Sequence, residues 1–139
     1  MSRFRVVLDT NALLISIGKK SKFRPIFDNI LNGNIQLVVT NEILTEYVEI
    51  IERKANAIVA NNIIELLIQL RNVEKVEINY NWGLITEDWD DNKFVDCAIA
   101  GQAMYIVTND KHFGILTEIP FPKVETVSIQ EFLRKIKTM

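Results

Sequence analysis

The chain has 139 residues and a mass of 16.0 kDa, so we expect one domain, because two independent cores would each approach the lower size limit for folding. A hydrophobic fraction of 48% and a charged fraction of 24% exclude a disordered or low-complexity chain. The formal net charge of -2 argues neither for nor against a nucleic-acid partner. One cysteine and one histidine exclude an intramolecular disulfide framework and any site that needs two imidazoles.

No apolar run approaches the roughly 20 residues that a membrane-spanning helix requires. The first residues also lack the apolar stretch and the small-residue cleavage site of a signal peptide. We therefore expect a cytoplasmic protein with no membrane association.

Short β-branched runs alternate with helix-forming segments along the chain. In chain order, the pattern predicts a buried strand over 4–8, helices over 10–18 and 21–32, and a strand over 35–39. A helix with an apolar stripe from 43 to 51 follows, then a helix over 55–71 and an edge strand over 73–78. After an acidic loop come a helix over 92–104, strands over 105–108 and 124–127, and a helix over 129–137. This alternation predicts a single three-layer α/β/α domain over 1–139 with a mostly parallel five-stranded sheet.

Two aspartates follow predicted strands of this sheet. Asp9 comes directly after the first strand, and Asp110 lies two residues after the fourth, following Thr108 and Asn109. Ligands of parallel sheets bind outside the carboxyl ends of the strands. If the two strands are neighbours, their carboxylates converge at one edge.

Three further acids lie on or beside predicted helices. Asp96 falls in a segment that is apolar on nearly every face, so its carboxylate should be semi-buried and need a partner, either a metal ion or a basic residue distant in sequence. The alternative is a first-turn acid that complements the helix dipole. Asp91 is a natural helix N-cap. Periodicity alone favours an exposed position for Glu46.

Four segments of the chain together resemble the four signatures of PIN-domain proteins, in the same order. They are Val7-Leu8-Asp9-Thr10-Asn11-Ala12-Leu13, Glu42-Ile43-Leu44-Thr45-Glu46-Tyr47, Asp91-Asn92-Lys93-Phe94-Val95-Asp96-Cys97-Ala98-Ile99-Ala100 and Tyr105-Ile106-Val107-Thr108-Asn109-Asp110. The resemblance spans roughly residues 5 to 130 and is to the VapC-like toxin components of bacterial toxin-antitoxin pairs. It implies a PIN-like fold, Mg²⁺- or Mn²⁺-dependent ribonuclease activity, an RNA substrate, a cognate antitoxin and a homodimer.

The resemblance also implies site residues, position by position. The expected catalytic residues are Asp9, Glu46, Asp96, Asp110 and Thr108. The expected metal ligands are Asp9, Asp96 and Asp110, with Asp91 as a shared ligand because the subgroup has an extra acid at that position. Mg²⁺ prefers oxygen ligands and is held through few carboxylates, and a metal-activated water removes the need for a histidine base.

Candidate substrate contacts lie near the first helix. Without the four expected catalytic acids, the net charge of -2 becomes +2, so the rest of the chain need not repel an RNA backbone. The candidates are Asn11, Lys19, Lys20, Lys22 and Arg24. The alternative interpretation of these basic residues is an ordinary solvated surface.

Other protein classes fit less well. A haloacid-dehalogenase-type phosphatase needs a second aspartate two residues after the first, where this chain has Asn11. No glycine-rich nucleotide-binding fingerprint follows the first strand. The alternative that remains is a PIN-like module that binds RNA or a protein with little or no nuclease activity.

Overall fold

The computed structural model describes residues 4–139, so the first three residues of the predicted domain lie outside the described part. The strands are β1 (Phe4–Leu8), β2 (Ile35–Val39), β3 (Val73–Lys75), β4 (Tyr105–Val107) and β5 (Thr126–Val127). The α-helices are α1 (Thr10–Ser16), α2 (Arg24–Leu31), α3 (Asn41–Lys54), α4 (Ala57–Gln69), α5 (Asn92–Ala100) and α6 (Ile129–Lys137). Two 3₁₀ helices, Trp89–Asp91 and Lys111–Glu118, were not predicted.

The sheet is parallel throughout and has the strand order β3-β2-β1-β4-β5. Helices flank it on both faces, which confirms the predicted three-layer α/β/α fold. The central strand β1 pairs with β4 so that Leu8 lies opposite Val107. Both residues are fully buried. The residues that follow them, Asp9 and Thr108, therefore emerge side by side at the carboxyl edge of the sheet.

The third helix is anchored to the end of the central strand. The Thr40 hydroxyl accepts a hydrogen bond from the Ile43 amide at 3.1 Å and caps α3. Seven residues further along, Tyr47 is fully buried, and its hydroxyl donates to the Leu8 carbonyl at 2.6 Å. This contact holds α3 against the strand end from which Asp9 emerges.

The predicted helix over 92–104 ends earlier, at Ala100. Gln102 has a left-handed backbone with φ of 54°, which a helix cannot continue. A Cβ atom at Gly101 would lie only 2.4 Å from Val38 Cγ1, so glycine permits close packing of this turn on β2. Between residues 4 and 139, no helix combines the length and the apolar composition needed to span a membrane.

Candidate functional site

Asp9 lies at the carboxyl end of β1 and is 7% exposed. It caps α1, because its Oδ1 accepts a hydrogen bond from the Ala12 amide at 2.7 Å. Its Oδ2 accepts a hydrogen bond from the Thr108 hydroxyl. The same hydroxyl oxygen accepts from the Asp110 amide at 3.0 Å. Thr108 therefore connects Asp9 to the loop that carries Asp110.

The electrostatic environment of Asp9 disfavours its charge. Burial raises the pKa of its carboxyl, the hydrogen bonds from Thr108 and Ala12 oppose that shift, and the charges of Asp110 and Glu46 raise the pKa further, so the net shift is upward. The structure thus brings three of the expected acids, Asp9, Glu46 and Asp110, close enough to repel one another. A bound cation would relieve this repulsion.

Glu46 reaches this group from α3 and is not the freely exposed glutamate that periodicity favours. Its side chain is 22% exposed. The Thr10 hydroxyl donates to its Oε2, and the Lys93 ammonium lies 2.6 Å from its Oε1. Both carboxylate oxygens therefore have protein donors.

Lys93 is a buried cation that the sequence interpretation did not single out. Its side chain is 5% exposed, and its Nζ lies 2.7 Å from Asp90 Oδ2 and 3.0 Å from the Asp90 carbonyl oxygen. Burial alone would lower the pKa of the ammonium, but the hydrogen bonds with Asp90 and Glu46 raise it overall. The sequence signal for this residue was a lysine in a largely apolar helix, because a cation there needs acidic partners.

A second group of side chains surrounds Asp110. The Asp110 Oδ1 accepts from the His112 amide at 2.9 Å and lies 3.4 Å from the His112 Nδ1. Asp91 Oδ2 also lies 3.4 Å from that Nδ1. Ligand atoms of Asp88, Asp91 and His112 lie within 4.8 Å of one another. The loops before α5 and after β4 thus bring oxygen and nitrogen donors together.

Asp91 occupies the N-cap position of α5, but its side chain makes no capping hydrogen bond. It is 15% exposed, and burial, followed by the charges of Asp88 and Asp110, raises its pKa to about 6 against the opposing effect of His112. The predicted position at the helix start is therefore right. The side chain, however, is directed to Asp110 and His112 instead of the helix amides.

Asp96 contacts a different part of the structure. Its Oδ1 accepts from the Trp82 backbone amide at 3.0 Å, so a peptide N–H is the partner of one oxygen of this buried carboxylate. A metal ion as its partner stays a prediction. Burial raises its pKa, the Trp82 amide opposes this, and the charge of Glu42 adds to the rise. With Glu42 and Trp89 it lines an adjacent cleft of about 270 Å³.

Helix geometry explains why Asp91 and Asp96 separate. At 3.6 residues per turn, two positions five residues apart point about 140° away from each other. The two carboxylates therefore reach different surroundings. Asp91 lies beside Asp110 and His112, and Asp96 lies beside the Trp82 amide.

The candidate substrate contacts divide into two sets. Asn11, Lys19, Lys20 and Lys22 are exposed, as a substrate contact requires. Arg24 is instead used within the fold, because its Nη1 donates to the Ile17 carbonyl at 2.6 Å and its Nε donates to Asp28 at 2.8 Å. Arg24 as a phosphate contact stays a prediction, and its bonds to Ile17 and Asp28 would compete with such a contact.

The donors at the ends of β1 and β4 and before α5 have the chemistry that a divalent cation requires. Carboxylates of Asp9, Asp91 and Asp110 are hard oxygen ligands of the kind that Mg²⁺ and Mn²⁺ take. The His112 imidazole suits Mn²⁺ and later transition metals better than Mg²⁺. Such a cation, with carboxylates around it, is suited to bind and polarise a phosphodiester.

A family model described as a PIN domain matches residues 5–112, whereas no curated protein matches the chain. The structure is similar to the crystal structure of VapBC2 from Rickettsia felis bound to a DNA fragment from their promoter, with a TM-score of 0.62, 17% identity, and coverage of 89% of this chain and 98% of that chain. It is also similar to VapBC-1 from nontypeable Haemophilus influenzae, with a TM-score of 0.60, 18% identity, and coverage of 91% and 98%.

A third similar structure is the RRP44 PIN domain of T. brucei, with a TM-score of 0.54, 14% identity, and coverage of 99% of this chain and 83% of that chain. At these identities the structural matches show a shared fold. The family model covers most of the chain, and it includes all of the acids at the strand ends. The protein therefore belongs to the PIN-domain family, with the fold of the VapBC structures.

Proposed function

We propose that this protein is a metal-dependent endoribonuclease. The observation that carries the proposal is the convergence of Asp9, Asp110 and Glu46 at the carboxyl edge of a parallel sheet, where the carboxylates repel one another. Asp91 lies next to Asp110. PIN domains are generally nucleases, and a nuclease centre of this kind needs acids held at one point for a cation.

We assign the ligands of a Mg²⁺ or Mn²⁺ ion to Asp9, Asp91 and Asp110. We favour Asp91 over Asp96, which the resemblance also gives as a ligand, because Asp91 lies beside Asp110 whereas Asp96 Oδ1 accepts from the Trp82 amide. When bound, the cation activates water and neutralises charge on the phosphodiester, so no histidine base is needed.

The chain's own residues prepare this centre. The Thr108 hydroxyl holds the Asp9 carboxylate in one orientation, and the burial of Asp9 keeps bulk water away from one side of it. We propose that Lys19, Lys20 and Lys22, whose side chains are exposed, pair with phosphates of single-stranded or structured RNA. Asn11 adds an exposed amide two residues after Asp9.

We further propose that the protein is the toxin of a toxin-antitoxin pair and acts in the cytoplasm. Support comes from the fold shared with the VapBC structures of R. felis and H. influenzae.

We also propose that the protein forms a homodimer. Exposed apolar side chains on α4, such as Ile58 at 73% and Ile68 at 62%, would lose contact with water in a protein interface. Light scattering of the chain, alone and coexpressed with its neighbouring gene product, tests both assemblies.

The test of the activity is cleavage of end-labelled single-stranded RNA in Mn²⁺. If an activated water attacks the phosphorus, the 2'-hydroxyl takes no part, and the products carry 5'-phosphate and 3'-hydroxyl ends. Asp9→Asn should abolish cleavage, whereas Glu65→Gln, at an exposed position on α4, should cut like the parent. Cleavage that survives EDTA, or products with 2',3'-cyclic phosphates, would contradict the mechanism. RNA binding without any cleavage would favour the alternative of a binding module.

A further inference from the structure

We propose that Lys93 is a built-in cation that holds and neutralises Glu46, so that the centre binds a single divalent ion. This inference rests on the proposed function, because it concerns the cation that the nuclease would bind. Lys93 is a positioning residue in this proposal, because it acts through Glu46.

The ammonium of Lys93 has no remaining donor for a substrate. It has three N–H groups, and three acceptors lie within reach: Glu46 Oε1 at 2.6 Å, Asp90 Oδ2 at 2.7 Å and the Asp90 carbonyl at 3.0 Å. The side chain is 5% exposed. A phosphate contact would require breaking one of these bonds. A fixed structural position therefore fits this lysine better than a mobile RNA contact.

The pair also leaves Glu46 poorly suited to hold a metal ion. The Thr10 hydroxyl occupies one carboxylate oxygen, and the ammonium occupies the other. A divalent ion on Oε1 would lie beside a positive charge that is screened little at this burial, and like charges repel. The ammonium thus takes the place that a second cation would need.

Glu46 still contributes to the centre through its charge. It lies close enough to raise the pKa of Asp9, and the Lys93 ammonium offsets part of that negative potential. Asp9, Asp91 and Asp110 remain as carboxylates that no lysine or arginine contacts within residues 4–139. Glu46 differs from these three in that both of its oxygens are already bonded, so the ion of the centre falls to Asp9, Asp91 and Asp110 and none falls to Glu46.

The experiment counts Mn²⁺ ions bound per chain, by calorimetric titration and by electron paramagnetic resonance of the free ion. We expect one tight site in the parent protein and in Lys93→Arg, which keeps the positive charge. In Lys93→Met, Glu46 loses its cation, so a second Mn²⁺ should bind. Lys123→Met, at a 73% exposed position, is the matched control and should keep one site.

Two sites in the parent protein, no Mn²⁺ binding in it, or an unchanged count in a folded Lys93→Met would each overturn the inference. If Lys93→Met does not fold, the counts for the parent and for Lys93→Arg still decide the question. RNA cleavage measured on the same preparations separates this inference from the proposed function. Cleavage with two bound ions contradicts only the inference, and one bound ion without cleavage contradicts only the nuclease.

Discussion

Replacing Asp9 with asparagine should have opposite effects on stability with and without a divalent ion. The amide keeps an oxygen for the Ala12 N–H, and its NH₂ group can donate to Thr108, whose hydroxyl oxygen has two lone pairs. The substitution removes a buried charge that Asp110 and Glu46 repel. Because the folded-state pKa of Asp9 lies above its unfolded value, the ionised carboxylate destabilises the fold at every pH above that folded pKa. In EDTA at neutral pH, Asp9→Asn should therefore melt at or above the parent temperature.

With Mn²⁺ the order should reverse. An ion at about a hundred times its Kd adds about 2.7 kcal/mol to the stability of the parent protein. Unfolding entropy is about 2.1 cal/mol/K per residue, so a chain of 139 residues has about 0.29 kcal/mol/K, and the parent should gain about 9 °C. Asp9→Asn loses a ligand and should gain little.

The assay is a thermal melt of both proteins in EDTA and in millimolar MnCl₂, with Glu65→Gln as a control that should behave like the parent. An equal Mn²⁺ response in the parent and in Asp9→Asn would refute the assignment of Asp9 as a ligand. A lower melting temperature of Asp9→Asn in EDTA would refute the view that the carboxylates repel one another in the empty centre.

Four further variants test other parts of the account. Asp91→Asn should weaken Mn²⁺ binding about 100-fold or more, because the loss of a residue that only supports a metal ligand already lowers metal affinity about 10 to 100-fold. Asp96→Asn should leave the Mn²⁺ affinity measured by calorimetry nearly unchanged. Tyr47→Phe should cost about 1–2 kcal/mol in urea denaturation, because it removes a buried hydrogen bond to the carbonyl that ends β1. Replacing Lys19 and Lys20 together with glutamine should flatten the salt dependence of single-stranded RNA binding by a slope of about 1.4, if each pairs with one phosphate.

The fold follows from local patterns that the sequence shows directly. The predicted limits of the strands over 4–8 and 35–39 and of the last helix match the structure, because apolar runs and helix stripes there have clear ends. The parallel order follows from the strand-helix alternation, which is why the expectation for Asp9 and Asp110 could be formed without coordinates. Both residues follow neighbouring strands, β1 and β4.

The side-chain partners could not be predicted in the same way. Asp91 and Asp96 are both acids near the start of α5, and only the packing of the surrounding loops decides that Asp91 lies beside Asp110 and His112. Glu46 has the periodicity of a surface residue, but Thr10 and Lys93, distant in sequence, cover its two oxygens. The link between Asp96 and the Trp82 amide depends on the path of an irregular loop, for which the sequence has no periodic signal.

The most direct test of the central claim is the location of Mn²⁺ in crystals of the protein, read from anomalous scattering. We predict a single strong peak in contact with the carboxylates of Asp9, Asp91 and Asp110, with Asp96 still bonded to the Trp82 amide. A peak coordinated by Asp96, or no peak at the carboxyl ends of β1 and β4 at millimolar Mn²⁺, would contradict the account.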